Sequence, residues 1–318
     1  AYRCITRGRS SIMSKRVAVL LGGISSEREV SLVSGAAVAK ALSDKGYDVV
    51  EIDVGPDLVA VINALSPAPD AVFNALHGRY GEDGCMQGTL DLLNIPYTHS
   101  GVLASALAMD KPMAKRLFEK AGIPCAKHVI ASREDVLAGN VMEPPYVVKP
   151  LNEGSSVGVQ IVSDDARNAA MADFQWSFGD KVMVEKYIPG REITVAVMGD
   201  KALGVTELRT DDGFYDYEAK YTEGRTTHIV PAPLPQSVYE TALAYALTAH
   251  QTLGCRGITR ADLRYDDTKN DPGALAILEI NTQPGMTPLS LVPEQAAHAG
   301  IEFGDLVSWM VENAACGS

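Results

Sequence analysis

The feature that most limits what this chain can become is an alternation near its start. Three β-prone runs, RVAVLL at 16–21, YDVVEIDV at 47–54 and DAVFNAL at 70–76, are separated by segments of helical length at 26–45 and 57–65. Strands that alternate with helices build βαβ units, because a parallel neighbour needs a crossover to return the chain to the same direction. The pattern predicts a βαβαβ array around a parallel sheet. Ser26 and Glu29 form a Ser-x-x-Glu capping box for the first helix, and Gly46 ends it. Ligands of such sheets bind beyond the carboxyl ends of the strands. Two loops fall there: Gly22, Gly23, Ser25, Ser26 and Glu27 after the first strand, and HGRYGEDG with His77 after the third. The two-glycine turn lacks dinucleotide spacing, so a smaller ligand is expected. Taken alone, Glu27 reads equally as a charge complementing the helix dipole, and His77 as a turn histidine.

With 318 residues, 46% hydrophobic and 21% charged, the chain has material for two or three domains of an ordinary globular protein. Its net charge of -12 argues against coating nucleic acid or an anionic membrane, so neither is an expected partner, and any anion must be captured in a local cationic pocket. Cys4, Cys85, Cys125, Cys255 and Cys316 are scattered without CxxC spacing, which indicates neither a zinc site nor a disulfide framework. No apolar run reaches transmembrane length, and the cytoplasm is the expected compartment. The opening AYRCITRGRSSI is basic without a signal-type apolar core, and Met13 precedes SKRVAVLLGG, so residues 1–13 read as an extension outside the fold. A mitochondrial-type presequence is the other reading.

Further along, a helix is expected at 83–94, then helical pattern through a boundary near Asp110. Lys111 stands there at a helix start, where a cation opposes the dipole. Strands at 127–131, 146–149, 157–162 and 182–187, with a helix at 164–176, make a small α+β domain. Lys149 ends one of these strands, and EGSSVGV at 153–159 follows with backbone N–H groups and hydroxyls that could cradle phosphate. It is not a Walker loop, in which the lysine follows the glycines. The junction VEKYI with PGRE at 189–192 suits an adenine edge and ribose, or equally a hinge. A hairpin about Gly199 and Asp200 opens a third domain. FYDYEAKY at 214–221 then reads as core cover or as a lid ending in Lys220 and Tyr221, and an amphipathic helix follows at 239–253.

The richest chemistry lies at 257–291. Strands at 258–265 and 275–280 put Arg260, Asp262 and Arg264 on one face, and Glu279 and Asn281 on one face of the next. Two carboxylates and an amide could converge as hard oxygen ligands suited to Mg²⁺ that shares its shell with phosphates, although strand charges also pair on solvated faces.

In order, GGISSEREVS, VVKP with EGSSVGV, VEKYIPGRE, and an Asp followed by Glu-x-Asn with NTQPGMT form a set that resembles the D-alanine–D-alanine ligases of the ATP-grasp superfamily. The resemblance runs from about Lys15 to the last helix. It implies an α/β and α+β fold in three domains: a Rossmann-like N-terminal domain at 14–109, then a two-domain ATP-grasp module at 110–190 and 191–318. It implies phosphorylation of one D-alanine to an acyl phosphate, attack by a second D-alanine and loss of phosphate, in peptidoglycan precursor synthesis by a homodimer. By the same carry-over Lys149, Gly154, Ser155, Ser156, Val157 and Gly158 would hold the phosphates of ATP with Lys111 assisting, and Lys220 would bind ATP from the lid. Glu185, Lys186, Tyr187 and Ile188 would bind adenine, and Glu192 ribose. Asp262, Glu279 and Asn281 would hold two Mg²⁺, with Mn²⁺ as an alternative and a monovalent cation as an open addition. Glu27 would meet the first ammonium, His77 would line that pocket, and Arg260 with the Gly285 N–H would stabilise the intermediate. Ser155 and Tyr221 would join as the lid closes, and Ser290 and Leu291 would receive the second carboxylate. Ile280, Gln283, Pro288 and Leu289 vary the last motif and put the second substrate's placement in question. Another carboxylate–amine or D-alanyl-D-lactate ligase is the nearest alternative. A silent nucleotide-binding regulator would need a change at Arg260, Asp262, Glu279 or Asn281, and none is present.

Overall fold

The protein is described by a computed structural model over residues 14–139, 141–152, 158–163, 179–210, 226–269 and 273–317. The extension at 1–13, the helix expected at 164–176, the loop residues Gly154, Ser155, Ser156 and Val157, and the lid segment with Lys220 and Tyr221 lie outside the described residues.

β1 (Arg16–Gly22), α1 (Arg28–Asp44), β2 (Asp48–Val54), α2 (Leu58–Ala64) and β3 (Ala71–Asn74) form the expected βαβαβ unit, with parallel strands in the order β2-β1-β3. The unbroken apolar run of β1 suits a central strand covered on both faces. The capping box at the start of α1 does not form. Glu27 occupies the N-cap without a side-chain cap and is buried, while Ser25 Oγ accepts from Glu27 N and donates to His77 O at 2.7 Å. The loop is shaped by its neighbour across the sheet end rather than by the helix.

α3 (Cys85–Leu92) and α4 (Val102–Met109) follow, and Asp110 separates α4 from α5 (Lys111–Lys120). Asp110 Oδ1 accepts from Met113 N at 3.0 Å, and Pro112 sits in the first turn, where its missing N–H costs nothing. Ala108, Ala114 and Phe118 pack into the core of the C-terminal sheet with Ile193, Val195, Leu263 and Ile277.

A four-stranded antiparallel sheet, in the order β4-β7-β5-β6, comprises β4 (His128–Ser132), β5 (Tyr146–Pro150), β6 (Gln160–Val162) and β7 (Lys181–Lys186). Its small core centres on Val136, Tyr146, Val148 and Val184. α6 (Arg133–Leu137), not anticipated from sequence, starts on a capping box between Ser132 and Asp135. The larger antiparallel sheet, β10-β9-β8-β11-β12, comprises β8 (Arg191–Met198), β9 (Lys201–Thr210), β10 (Thr226–Ile229), β11 (Ile258–Asp266) and β12 (Ala274–Asn281). α7 (Gln236–Thr252) covers it through Ala242, Ala246 and Ala249.

The chain ends with α8 (Leu291–His298) and α9 (Phe303–Glu312), and α9 returns to the first sheet. Leu306, Val307, Met310 and Val311 share one core with Val17, Val19, Leu42 and Phe73. This return, together with Gln283, draws the carboxyl ends of β1 and β3 onto the end of β12. Among the described residues no helix is long and apolar enough to cross a membrane.

Candidate active site

A cavity of about 70 Å³ lies where those three strand ends meet. It is lined by Glu27 and His77 from the first sheet's loops, Lys111 from α5, Arg260 from β11, Glu279 and Asn281 from β12, and Gly285, Ser290 and Leu291 from the loop that follows. Residues separated by more than two hundred positions are therefore brought together in one cleft. Glu82, which sequence reasoning did not single out, lines it as well.

Strand register explains the acidic face. Asp262 stands directly opposite Glu279, and Arg260 opposite Asn281, so all four project to one side. The ladder shifts just after Asp262 on β11 and just before Glu279 on β12, where β12 takes one extra residue. Arg260 grips Asp262 through two bonds, Nε to Oδ1 and Nη2 to Oδ2, each 2.8 Å. Thr194 Oγ1 donates to the same Oδ1 at 2.8 Å from β8. Lys111 Nζ lies 3.4 Å from Glu279 Oε2, which accounts for a lysine at a helix start. Asn281 Oδ1 accepts from Gln283 N at 2.8 Å, fixing the amide with its oxygen directed inward along the turn.

The two strands present hard oxygen donors side by side. Among the described residues no three His, Cys, Asp or Glu side chains cluster closely enough to cage one. Two carboxylates and an amide are hard donors that leave other positions to water and phosphate, the usual arrangement for Mg²⁺ with a nucleotide.

At the first sheet's edge, Glu27, His77 and Glu82 are all buried. Burial holds the His77 imidazole below its ordinary range, despite the nearby Glu27 charge and a backbone hydrogen bond with Gln283. Burial, reinforced by the Glu27 charge, pushes the Glu82 carboxyl up to about 8. Its Oε1 accepts from Gly78 N at 3.0 Å, which closes the HGRYGEDG loop on itself. Gly78 has φ +67, and a Cβ there would stand 3.0 Å from Glu27 Oε2. The loop needs glycine both for its backbone and for the space beside Glu27.

Gln283, read from sequence as a variation, ties the last loop to the first sheet. Its Oε1 accepts from Asn74 Nδ2 at 3.1 Å and Gln87 Nε2 at 3.2 Å, and its Nε2 donates to Leu76 O and Gly81 O. Ser290 Oγ accepts from Thr287 N at 2.9 Å, holding the last turn before α8.

Lys111 apart, the described residues expected around a nucleotide are not part of this cavity's lining. Lys149, at the end of β5, pairs with Glu185 on β7 at 2.6 Å, and Lys115 of α5 pairs with the other oxygen of Glu185. Lys186 Nζ donates to Glu143 O and Pro144 O. Arg264 organises the next stretch: it donates to Ile188 O at 3.1 Å, Gly190 O at 3.1 Å, Tyr187 Oη at 3.3 Å and Glu192 Oε2 at 3.2 Å. Tyr187, Ile188 and Glu192 are thus held as one unit. Gly158 adopts φ +68 where the loop re-enters β6. Neither Lys115 nor Arg264 was singled out for a site. A lysine inside a helix and an arginine on a strand carry no local mark of the carboxylate each will meet.

Comparison with known proteins shows the family. Residues 16–61 and 61–100 match the family model described as D-ala D-ala ligase N-terminus, and residues 117–312 match D-ala D-ala ligase C-terminus. A D-alanine–D-alanine ligase of Rhodospirillum rubrum is 59% identical over 305 residues, covering 96% of this chain and 99% of that protein. One from Acidiphilium cryptum is 59% identical over 302 residues, covering 95% and 99%. A crystal structure of D-alanine–D-alanine ligase from Bacillus anthracis complexed with ATP superposes with a TM-score of 0.78 at 33% identity, covering 94% of this chain and 96% of that one. On these matches along nearly its whole length, the chain belongs to the D-alanine–D-alanine ligase family.

Proposed function

We infer that the chain joins two D-alanines into D-alanyl-D-alanine, converting ATP to ADP and phosphate, and so supplies a peptidoglycan precursor. The observation that carries this reading is 59% identity over 96% of the chain to a protein of that name, with Glu27, His77, Lys111, Arg260, Glu279, Asn281, Gly285, Ser290 and Leu291 lining one cavity. In this reading Lys149, Lys111 and the 153–158 loop hold the phosphate chain, with Lys220 arriving from the lid. The unit of Tyr187, Ile188 and Glu192 takes the nucleoside, beside Glu185 and Lys186.

The first D-alanine binds with its ammonium at Glu27. A His77 kept uncharged by burial does not compete with that ammonium, and its ring lines the pocket. The substrate carboxylate attacks the terminal phosphorus of ATP and ADP leaves. The second D-alanine's amine then attacks the acyl carbon, its carboxylate held at Ser290 and Leu291, and phosphate leaves with one former carboxylate oxygen. Arg260 and the Gly285 N–H stabilise the charge that develops on the acyl oxygen, with Ser155 and Tyr221 closing over it. Arg260 is already aligned by Asp262, so little reorganisation accompanies the step. Asp262, Glu279 and Asn281 would hold two Mg²⁺, or Mn²⁺, which supply charge neutralisation as anionic carboxylate and phosphate approach. Use of ATP agrees with a cytoplasmic enzyme, and a homodimer, carried over from the resemblance, is checked by the mass in solution.

The test is ADP release with Mg-ATP in the presence of D-alanine, L-alanine, or D-alanine mixed with D-lactate, with products weighed. Turnover on D-alanine alone, giving the dipeptide and little ester, is expected. No ADP release with D-alanine overturns the substrate, and abundant ester moves the reading to a depsipeptide ligase.

A further inference from the structure

α5 carries two lysines one turn apart, and only the first has a role in the reaction above. Lys111 faces Glu279 on the large sheet, and Lys115 faces Glu185 on the small one. Lys115 is 0% exposed, Glu185 2% and Lys149 6%, so the pairing of Lys115 and Lys149 with one carboxylate takes place away from water. Burial alone would push the Glu185 carboxyl up. The Lys149 and Lys115 ammoniums outweigh it and hold the group below the usual carboxylate range. Two cations on one anion leave one positive charge in excess.

That excess has a direction. Lys149 stands at the end of β5, where the phosphates are read to lie, whereas Lys115 sits in the middle of α5. A lone Lys149–Glu185 pair would be neutral and strongly held at low dielectric, and drawing Lys149 toward phosphate would strand a buried carboxylate. With Lys115 on the other oxygen, Glu185 keeps a counter-charge whatever Lys149 does. We propose that Lys115 is a positioning residue for nucleotide capture: it neutralises Glu185 and so leaves the Lys149 ammonium available to the phosphate chain. The inference rests on the reading of Lys149 as a phosphate ligand.

The test is calorimetric binding of ATP and of adenosine to the full chain. Lys115→Met is expected to weaken ATP about tenfold or more, and adenosine, whose base would lie against Glu185, by clearly less, no more than about threefold. In a Glu185→Gln background no carboxylate remains to retain Lys149, so adding Lys115→Met should change ATP affinity by less than about twofold. This second comparison stands even if the single variant fails to fold. A folded Lys115→Met that binds ATP like wild type, an equal loss for adenosine, or a tenfold effect persisting in the Glu185→Gln background overturns the proposal. Wild type that binds no ATP, or Lys149→Met that binds it undiminished, instead overturns the reading of Lys149, and the inference falls with it.

Discussion

Replacing Gln283 with Met tests whether one buried amide holds the last loop on the first sheet. The side chain is 1% exposed, and Met keeps its length while removing every donor and acceptor. Asn74 Nδ2 and Gln87 Nε2 would each keep a bond to Gly81 O, at 2.9 and 3.0 Å. Leu76 O would lose the Gln283 donor. A buried carbonyl stripped of its donor costs about 1–3 kcal/mol, and a weakened pair of amide bonds brings the expected loss to roughly 2–4 kcal/mol. Because Gly285, Ser290 and Leu291 line the cavity a few residues on, the loosened loop should also raise the KM for D-alanine, by about tenfold if ~1.4 kcal/mol of that loss reaches the bound state. The KM for ATP should stay within about twofold, since Lys149 and Arg264 sit on other strands. Urea unfolding measures the first effect, and kinetics with each substrate varied in turn measure the second. An unchanged urea midpoint, or parallel rises in both KM values, would refute the reasoning.

Three further outcomes follow from named contacts. Glu82 binds its proton in the folded state up to about pH 8, against an ordinary glutamate value of 4.5. Between those values the unfolded chain ionises first, so Glu82 removes stability from the wild type as pH rises. Glu82→Gln should therefore melt progressively higher than wild type from pH 5 to pH 8, and a constant difference contradicts the raised value. Gly78→Ala, at φ +67 with a Cβ 3.0 Å from Glu27 Oε2, should cost roughly 1–3 kcal/mol in thermal stability and weaken D-alanine more than ATP; equal weakening of both argues against a role beside Glu27. Glu279→Gln should raise the Mg²⁺ concentration for half-maximal ADP formation by about tenfold or more, and an unshifted titration removes Glu279 from the metal site.

What could be read in advance was whatever repeats with a short period. The two-residue alternation along 258–265 and 275–280 put Arg260 and Asp262 on one face of a strand and Glu279 and Asn281 on one face of the next, and the ladder sets Asp262 opposite Glu279 and Arg260 opposite Asn281. The apolar runs of β1, β2 and β3 likewise gave the parallel sheet and the ligand end. Features that depend on distant partners could not be read. Ser26 and Glu29 have the spacing of a capping box, yet Glu27 is buried in the cavity and the helix starts at Arg28. The character of Glu82 comes from burial and the nearby Glu27 charge, and that of Lys115 from a strand seventy residues later. Gln283 looked like a departure in the last motif because its partners, Asn74, Leu76, Gly81 and Gln87, belong to the first sheet and its loops.

The central claim is that a D-alanine carboxylate oxygen attacks ATP. D-alanine labelled with ¹⁸O in its carboxylate should, over complete turnover in unlabelled water, deliver one labelled oxygen to each phosphate released with the dipeptide. Phosphate that carries no label would mean that water, not substrate, opens the phosphoanhydride, and the acyl phosphate route would be wrong.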